Sequence, residues 1–142
     1  MVASLEMPKG LALTLRLIDW AMIIYWSVMG LAALRLFSLP SEAMYDGYGQ
    51  PVIDAWNWSF APLDLGFAIA GLASLNLARK NDRRWVALAI ISLALTFCAG
   101  LMAIGFWTIK GEFNASWWIP NLLLMVVPAY WLPKLVNLEA RG

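Results

Sequence analysis

Four long apolar segments separated by short polar ones set the pattern of this chain. The first covers about residues 13–36, and beyond Arg16 only Asp19 and Arg35 interrupt it. The second, about 59–78, holds Asp64 as its sole charge, while the third (85–109) and the fourth (116–133) hold none. Each is close to the roughly 20 residues a helix needs to cross about 30 Å of hydrocarbon. Barrel strands would be about half as long and would alternate in polarity. Backbone left unpaired in lipid costs several kcal/mol per group, so helix is the form predicted for all four. The pattern predicts an all-α fold, an integral membrane four-helix bundle, as one domain over residues 1–142.

Composition agrees. Hydrophobic residues make up 62% of the chain and charged ones 13%, with a mean hydropathy of +0.69, more apolar surface than a soluble domain of this size can hide. The first segment is too long and too polar, with Asp19 and Trp20 inside it, for a cleavable signal. There is no histidine, which removes the usual haem ligand, most zinc sites and the commonest proton shuttle. The single cysteine, Cys98, lies in an apolar run and reads as a packing residue.

Charge distribution adds an orientation. Lys9, Arg16, Arg79, Lys80, Arg83, Arg84, Lys134 and Arg141 fall on one side of a four-span arrangement, and only Arg35 and Lys110 on the other. The positive-inside rule then places both termini in the cytoplasm and residues 37–58 outside as a loop. That loop carries Glu42, Asp46 and Asp54 and no basic residue, and Pro40, Gly47, Gly49 and Pro51 break any long helix in it. Its rings, Tyr45, Tyr48, Trp56 and Trp58, suit the headgroup level, either as an interfacial anchor or as a lid.

Two carboxylates fall inside the spans, where charge is expensive and faces protein or water. Asp19 is expected some 5–9 Å below the cytoplasmic interface, able to pair with Arg16 on its own helix or with Arg79 or Arg83 across the bundle, or to serve a ligand or ion. Asp64 is expected one turn inside the opposite end, on a helix capped by Ser59 with Pro62 in its first turn. Asn121, Lys110 and Arg35 are the partners at similar depth. Arg35 is the least suited, being about 160° around the helix from Asp19. Small residues at Gly66, Ala70 and Ser74, and at Ser92, Thr96, Ala99, Gly100 and Ala103, predict close helix approach, and Pro128 predicts a kink in the last span.

The strings "DWAMIIYW", "WNWSFAPLDL", "CAGLMAIGFW" and "WWIPNLLLMVVPAYWLP" together resemble the YvaD-type family of small bacterial four-span membrane proteins, over about residues 19–133. The resemblance implies the fold and a bacterial cytoplasmic (inner) membrane setting, and no activity. A looser likeness in outline is to the EXPERA fold of the sterol isomerase and sigma-2 receptor proteins, which share four spans, a long first loop and intramembrane acids. The absence of histidine departs from the isomerase chemistry of that group.

Three functions are consistent with these residues. One is binding of a hydrophobic or amphipathic small molecule or lipid, with a polar or cationic head, in a cavity near the external side. Asp64, Asn121, Trp26, Thr96, Trp117 and Trp118 would line that site and Tyr45 and Tyr48 would close it. Asp19, Arg16 and Arg79 would then serve as structural charge pairs. The second is proton-coupled transport, for which a homodimer would supply enough helices, although Asp19 and Asp64 are expected to lie far apart across the membrane. The third is a structural or accessory subunit. An enzyme ranks below these, because a paired-carboxylate site needs two acids within roughly 5–10 Å. No cofactor, no metal and no nucleic-acid partner is expected, and the lipid bilayer is the expected surrounding.

Overall fold

The structure is a computed structural model that describes residues 6–40, 44–45 and 47–140; Glu42, Asp46 and Arg141 lie outside the described residues. Among the described residues the chain is all helical: α1 (Lys9–Ala33), α2 (Pro51–Ser59), α3 (Ala61–Arg79), α4 (Trp85–Lys110) and α5 (Ala115–Glu139). The rod formed by α2 and α3, together with α1, α4 and α5, makes four helical units long and apolar enough to cross a membrane.

α1 begins four residues before the sequence pattern suggested, because Pro8 opens it: its carbonyl accepts from Ala12 N–H at 3.0 Å. The helix buries Leu11, Leu15, Asp19, Trp26 and Met29, which recur on one face at the 3.6-residue period, so Asp19 points inward with the apolar stripe. Three helices stop in the same way. Arg35, Asn81 and Gly111 take left-handed φ values of 57°, 55° and 74°. Beyond each, an N–H turns back five residues: Leu36 to Leu31, Asp82 to Leu77 and Glu112 to Trp107, at 3.0–3.2 Å. These bonds satisfy carbonyls that a helix end otherwise leaves open.

The largest departure from the sequence reading lies in the expected loop. Residues 51–59 are helical. Pro51 starts α2 instead of breaking it, since a first-turn proline has no N–H to lose and its fixed φ suits a helix. Ser59 is therefore not the cap of the next helix. It ends α2 and donates its hydroxyl to the Trp56 carbonyl at 2.6 Å, and Phe60 precedes α3. Pro62 cannot donate to the Trp58 carbonyl four residues back, which separates α2 from α3.

α1 packs on α3, α3 on α4, and α4 on α5, with α2 against α3. α1 and α5 meet where Gly10 lies against the Trp131 ring, at 3.2 Å from a Cβ built on the glycine. Two apolar cores follow. One, toward the termini, gathers Leu11, Leu15, Trp85, Val86, Leu93 and Leu135; the other, toward the 34–50 connection, gathers Trp26, Met29, Phe60, Phe67, Ala68 and Ala103. The bundle thus has a terminal end and a loop end. Two of the small residues act at helix crossings. A Cβ on Gly71 would overlap the Asp19 carboxylate, and one on Gly100 would stand 2.6 Å from the Asn121 carbonyl oxygen of α5. Gly66 has open space, so the small-residue stripe of α3 is only partly an interface. α5 continues without a break through Pro120, Pro128 and Pro133.

Candidate functional site

At the loop end, a cavity of about 440 Å³ lies between α1, α5 and the start of α3, roofed by Met44, Tyr45 and α2. Asp64 stands at its base. The first turn of α3 fixes it there, with the Asp64 N–H on the Phe60 carbonyl at 2.8 Å, and its residue exposure is only 7%. Trp26 Nε1 of α1 donates to Asp64 Oδ2 at 2.9 Å. The other carboxylate oxygen, Oδ1, is buried without a hydrogen-bond partner among the described residues. Tyr25 Oη of α1 and Asn57 Nδ2 of α2, also buried in the lining, interact with one another and have no other hydrogen-bond partner among the described residues. A carboxylate oxygen, a phenol and an amide N–H are thus presented together by three different elements.

Aromatic rings form much of the wall. Trp56 stacks on Phe106 at 4.0 Å and meets Phe60 edge-on at 4.9 Å, and Trp117 of α5 faces Tyr45 at 6.5 Å. Tyr45 is buried and held by its own hydroxyl, which donates to Asp54 Oδ1; the same oxygen accepts from Gly49 N–H at 3.1 Å. Burial, and then the hydrogen bond to Asp54, push the Tyr45 phenol above its ordinary range, so it stays a donor and holds the roof to α2.

Of the residues expected at the binding site, Asp64, Trp26, Asn121, Trp117 and Tyr45 line this cavity. Three expected lining residues do not. Thr96 is buried outside the cavity lining, its hydroxyl turned back to the Ser92 carbonyl at 2.8 Å. Trp118 packs on Phe113 and donates to the Glu112 carbonyl at 3.3 Å. Tyr48 lies behind Tyr45, ring to ring at 5.4 Å, and borders a separate hollow with Arg35. Asn121 holds its amide on the Trp117 carbonyl of its own helix at 2.8 Å rather than on Asp64. Lys110 is likewise not a partner of Asp64: it pairs with Glu112 at 2.8 Å and caps the Trp107 ring.

The expected charge pairs of Asp19 are also absent. Both of its carboxylate oxygens are buried without hydrogen-bond partners, while Arg16 and Arg79 are exposed. The reason is depth and facing. Because α1 starts at Lys9, Asp19 lies ten residues in, about 15 Å along the helix, and it faces Gly71. Gly71 is seven residues beyond Asp64 on α3, and Trp26 is seven beyond Asp19 on α1. The two acids are therefore about 10 Å apart along the helices, not separated by most of their length.

Tyr25, Asn57, Trp56, Phe60, Met22 and Pro120 are cavity residues that the sequence reading did not select. The usable signal was Pro51 as a helix start, which puts Trp56 and Asn57 in helical phase ahead of Asp64. Among the described residues no group of three or more Cys, Asp or Glu side chains gathers to hold a metal ion.

Residues 11–142 match the profile described as a family of unknown function, DUF5360. The chain belongs to that family. It is 37% identical over 119 residues, 84% of this chain and 86% of the relative, to a Bacillus subtilis (strain 168) protein named "Uncharacterized protein YvaD". The YvaD-type resemblance of the tryptophan-rich strings thus holds at the level of the DUF5360 family, which covers the whole cavity. No solved structure matches the chain.

Proposed function

We propose that this DUF5360 protein spans the bacterial cytoplasmic membrane four times and binds an amphipathic small molecule or lipid with a cationic head in the loop-end cavity. Four long apolar helices support insertion. The placement of basic residues supports a cytoplasmic terminal end and an external loop end. The cavity would then sit in the outer half of the bilayer. α1 and α5 flank it, and Ser116 and Pro120 on its α5 wall are exposed, so a ligand would enter sideways from the lipid.

The observation that carries the reading is Asp64 Oδ1, a buried and unpartnered carboxylate oxygen at the base of an aromatic chamber. An unsatisfied buried charge is costly, and a cationic head would compensate it. Trp26, Trp56 and Trp117 would add ring faces that attract a cation. Tyr25 and Asn57 would meet the polar groups beside it. The volume suits a small head and a short stretch of chain, with the remaining tail in lipid.

The test is thermal unfolding of the protein in nanodiscs with an alkylammonium ion, a matched alcohol and a matched alkyl sulfate. The ammonium raises the unfolding temperature and the other two do not. Asp64→Asn lowers the apparent affinity about tenfold or more, as expected for loss of a charge-assisted contact. An equal shift in Asp64→Asn and in the parent would end this reading. A second reading, coupling of that ligand to protons, is favoured by one observation: Asp19, a second unpartnered carboxylate, lies further along the same pair of helices.

A further inference from the structure

Between the two apolar cores is a small polar layer that the cavity does not reach. Asp19 of α1 is 1% exposed, and neither of its carboxylate oxygens has a hydrogen-bond partner among the described residues. Ser92 of α4 is fully buried, and its hydroxyl has none either. Both side chains converge on Gly71 of α3: a Cβ there would stand 2.7 Å from Asp19 Cγ and 2.9 Å from Ser92 Oγ. Three helices therefore close around one carboxyl and one hydroxyl, and the missing side chain at Gly71 makes the room for them.

Among the described residues no basic group faces this pocket. On α3 the charged residues nearest Gly71 are Asp64 and Arg79, about 10 and 12 Å away along the helix in opposite directions. α4 carries no charge between its start and Lys110, and α5 none before Lys134. On α1 the nearest charge is Arg16, which is exposed. The neighbouring hydroxyls are committed elsewhere, Thr96 to the Ser92 carbonyl and Ser74 to the Trp85 carbonyl, each at 2.8 Å. A metal cation needs several oxygen ligands, and among the described side chains Asp19 and Ser92 are the ones that converge on Gly71. A proton needs one acceptor and a neighbour for its hydrogen bond.

We propose that Asp19 and Ser92, closed over Gly71, form a proton-binding site midway along the bundle, separate from the loop-end cavity. One proton from solvent adds to a carboxylate oxygen of Asp19, forming the O–H bond of a carboxylic acid and removing the uncompensated charge. Ser92 Oγ accepts the hydrogen bond of that acid. Release reverses the step and leaves a bare carboxylate against the α3 backbone, which weakens the α1–α3 contact that also carries Trp26 to Asp64. Burial among the helices creates this site whether or not the cavity takes a ligand.

Infrared difference spectroscopy of the whole protein in liposomes, titrated from acid to alkaline, tests this. A carboxylic-acid carbonyl stretch is expected that titrates with pH, disappears in Asp19→Asn and remains in Asp64→Asn. Ser92→Ala keeps that band and moves it to higher frequency, because the carboxyl loses its hydrogen-bond partner. If Asp19→Asn does not fold, isotope-labelled aspartate in the Ser92→Ala protein reports the same shift. A spectrum without a titrating acid band dependent on Asp19 overturns the proposal. So does a band that sodium ions displace at constant pH, which would make the pocket a metal-cation site. A band unmoved by Ser92→Ala overturns the assigned partner.

Discussion

At the residue scale, the Trp26–Asp64 hydrogen bond joins α1 to α3 beside the cavity. It satisfies one carboxylate oxygen and leaves the other aimed at whatever enters. Trp26→Phe removes the indole N–H and leaves both oxygens of Asp64 without a donor. A buried acceptor stripped of its partner costs about 1–3 kcal/mol, so the unfolding midpoint falls. In Asp64→Asn the same Trp26→Phe change costs less, since the charge it served is gone; a double-mutant cycle by thermal unfolding measures the difference. Additive effects would show that the bond contributes nothing beyond ring packing.

At the element scale, two glycines that look alike in sequence have opposite roles. Gly100 lies where α4 and α5 cross, and a Cβ there would stand 2.6 Å from the backbone oxygen of Asn121. Backbone cannot step aside as a flexible side chain can, so Gly100→Ala forces α4 and α5 apart and costs about 1–3 kcal/mol. Gly66 sits in α3 with nothing within 4 Å, and Gly66→Ala removes the conformational freedom of a helical glycine at no steric cost. It is expected to be neutral or stabilising by up to about 1 kcal/mol. Unfolding midpoints of the two variants in one detergent decide this. Equal losses would contradict the packing of α4 on α5.

At the scale of the whole molecule, α1, α3, α4 and α5 pack in chain order, so α1 and α5 are the outer members of the row. They meet where Gly10 touches Trp131 and flank the cavity at the loop end. On the proposed orientation the loop end faces outward. In a Cys98→Ala background, a cysteine placed at Gln50 should react in intact cells with a thiol reagent that cannot cross membranes. One placed at Lys80, in the α3–α4 turn, should react only after the cells are opened. The reverse labelling would invert the bundle and move the cavity to the inner half of the bilayer.

The apolar runs alone determined that the chain is helical, with four helical units long and apolar enough to cross a membrane, because run length and the need to pair backbone leave little alternative. Trp26, Asp64 and Trp117 also stand out in the sequence, as rings and a carboxylate in apolar segments, whereas Tyr25, Asn57 and Phe60 of the same cavity do not. Helix starts at Pro8 and Pro51 were not legible in the same way. Proline reads as a breaker until its place in the first turn is known, and Pro51 read that way puts Trp56 and Asn57 in a loop. Only the tertiary structure decided the depth and partners of the two acids. A shift of four residues in the start of α1 moves Asp19 inward by about one turn. Its environment is then set by what faces it from α3 and α4, a glycine and a serine, and such pairings between helices leave no trace in the periodicity of any one of them.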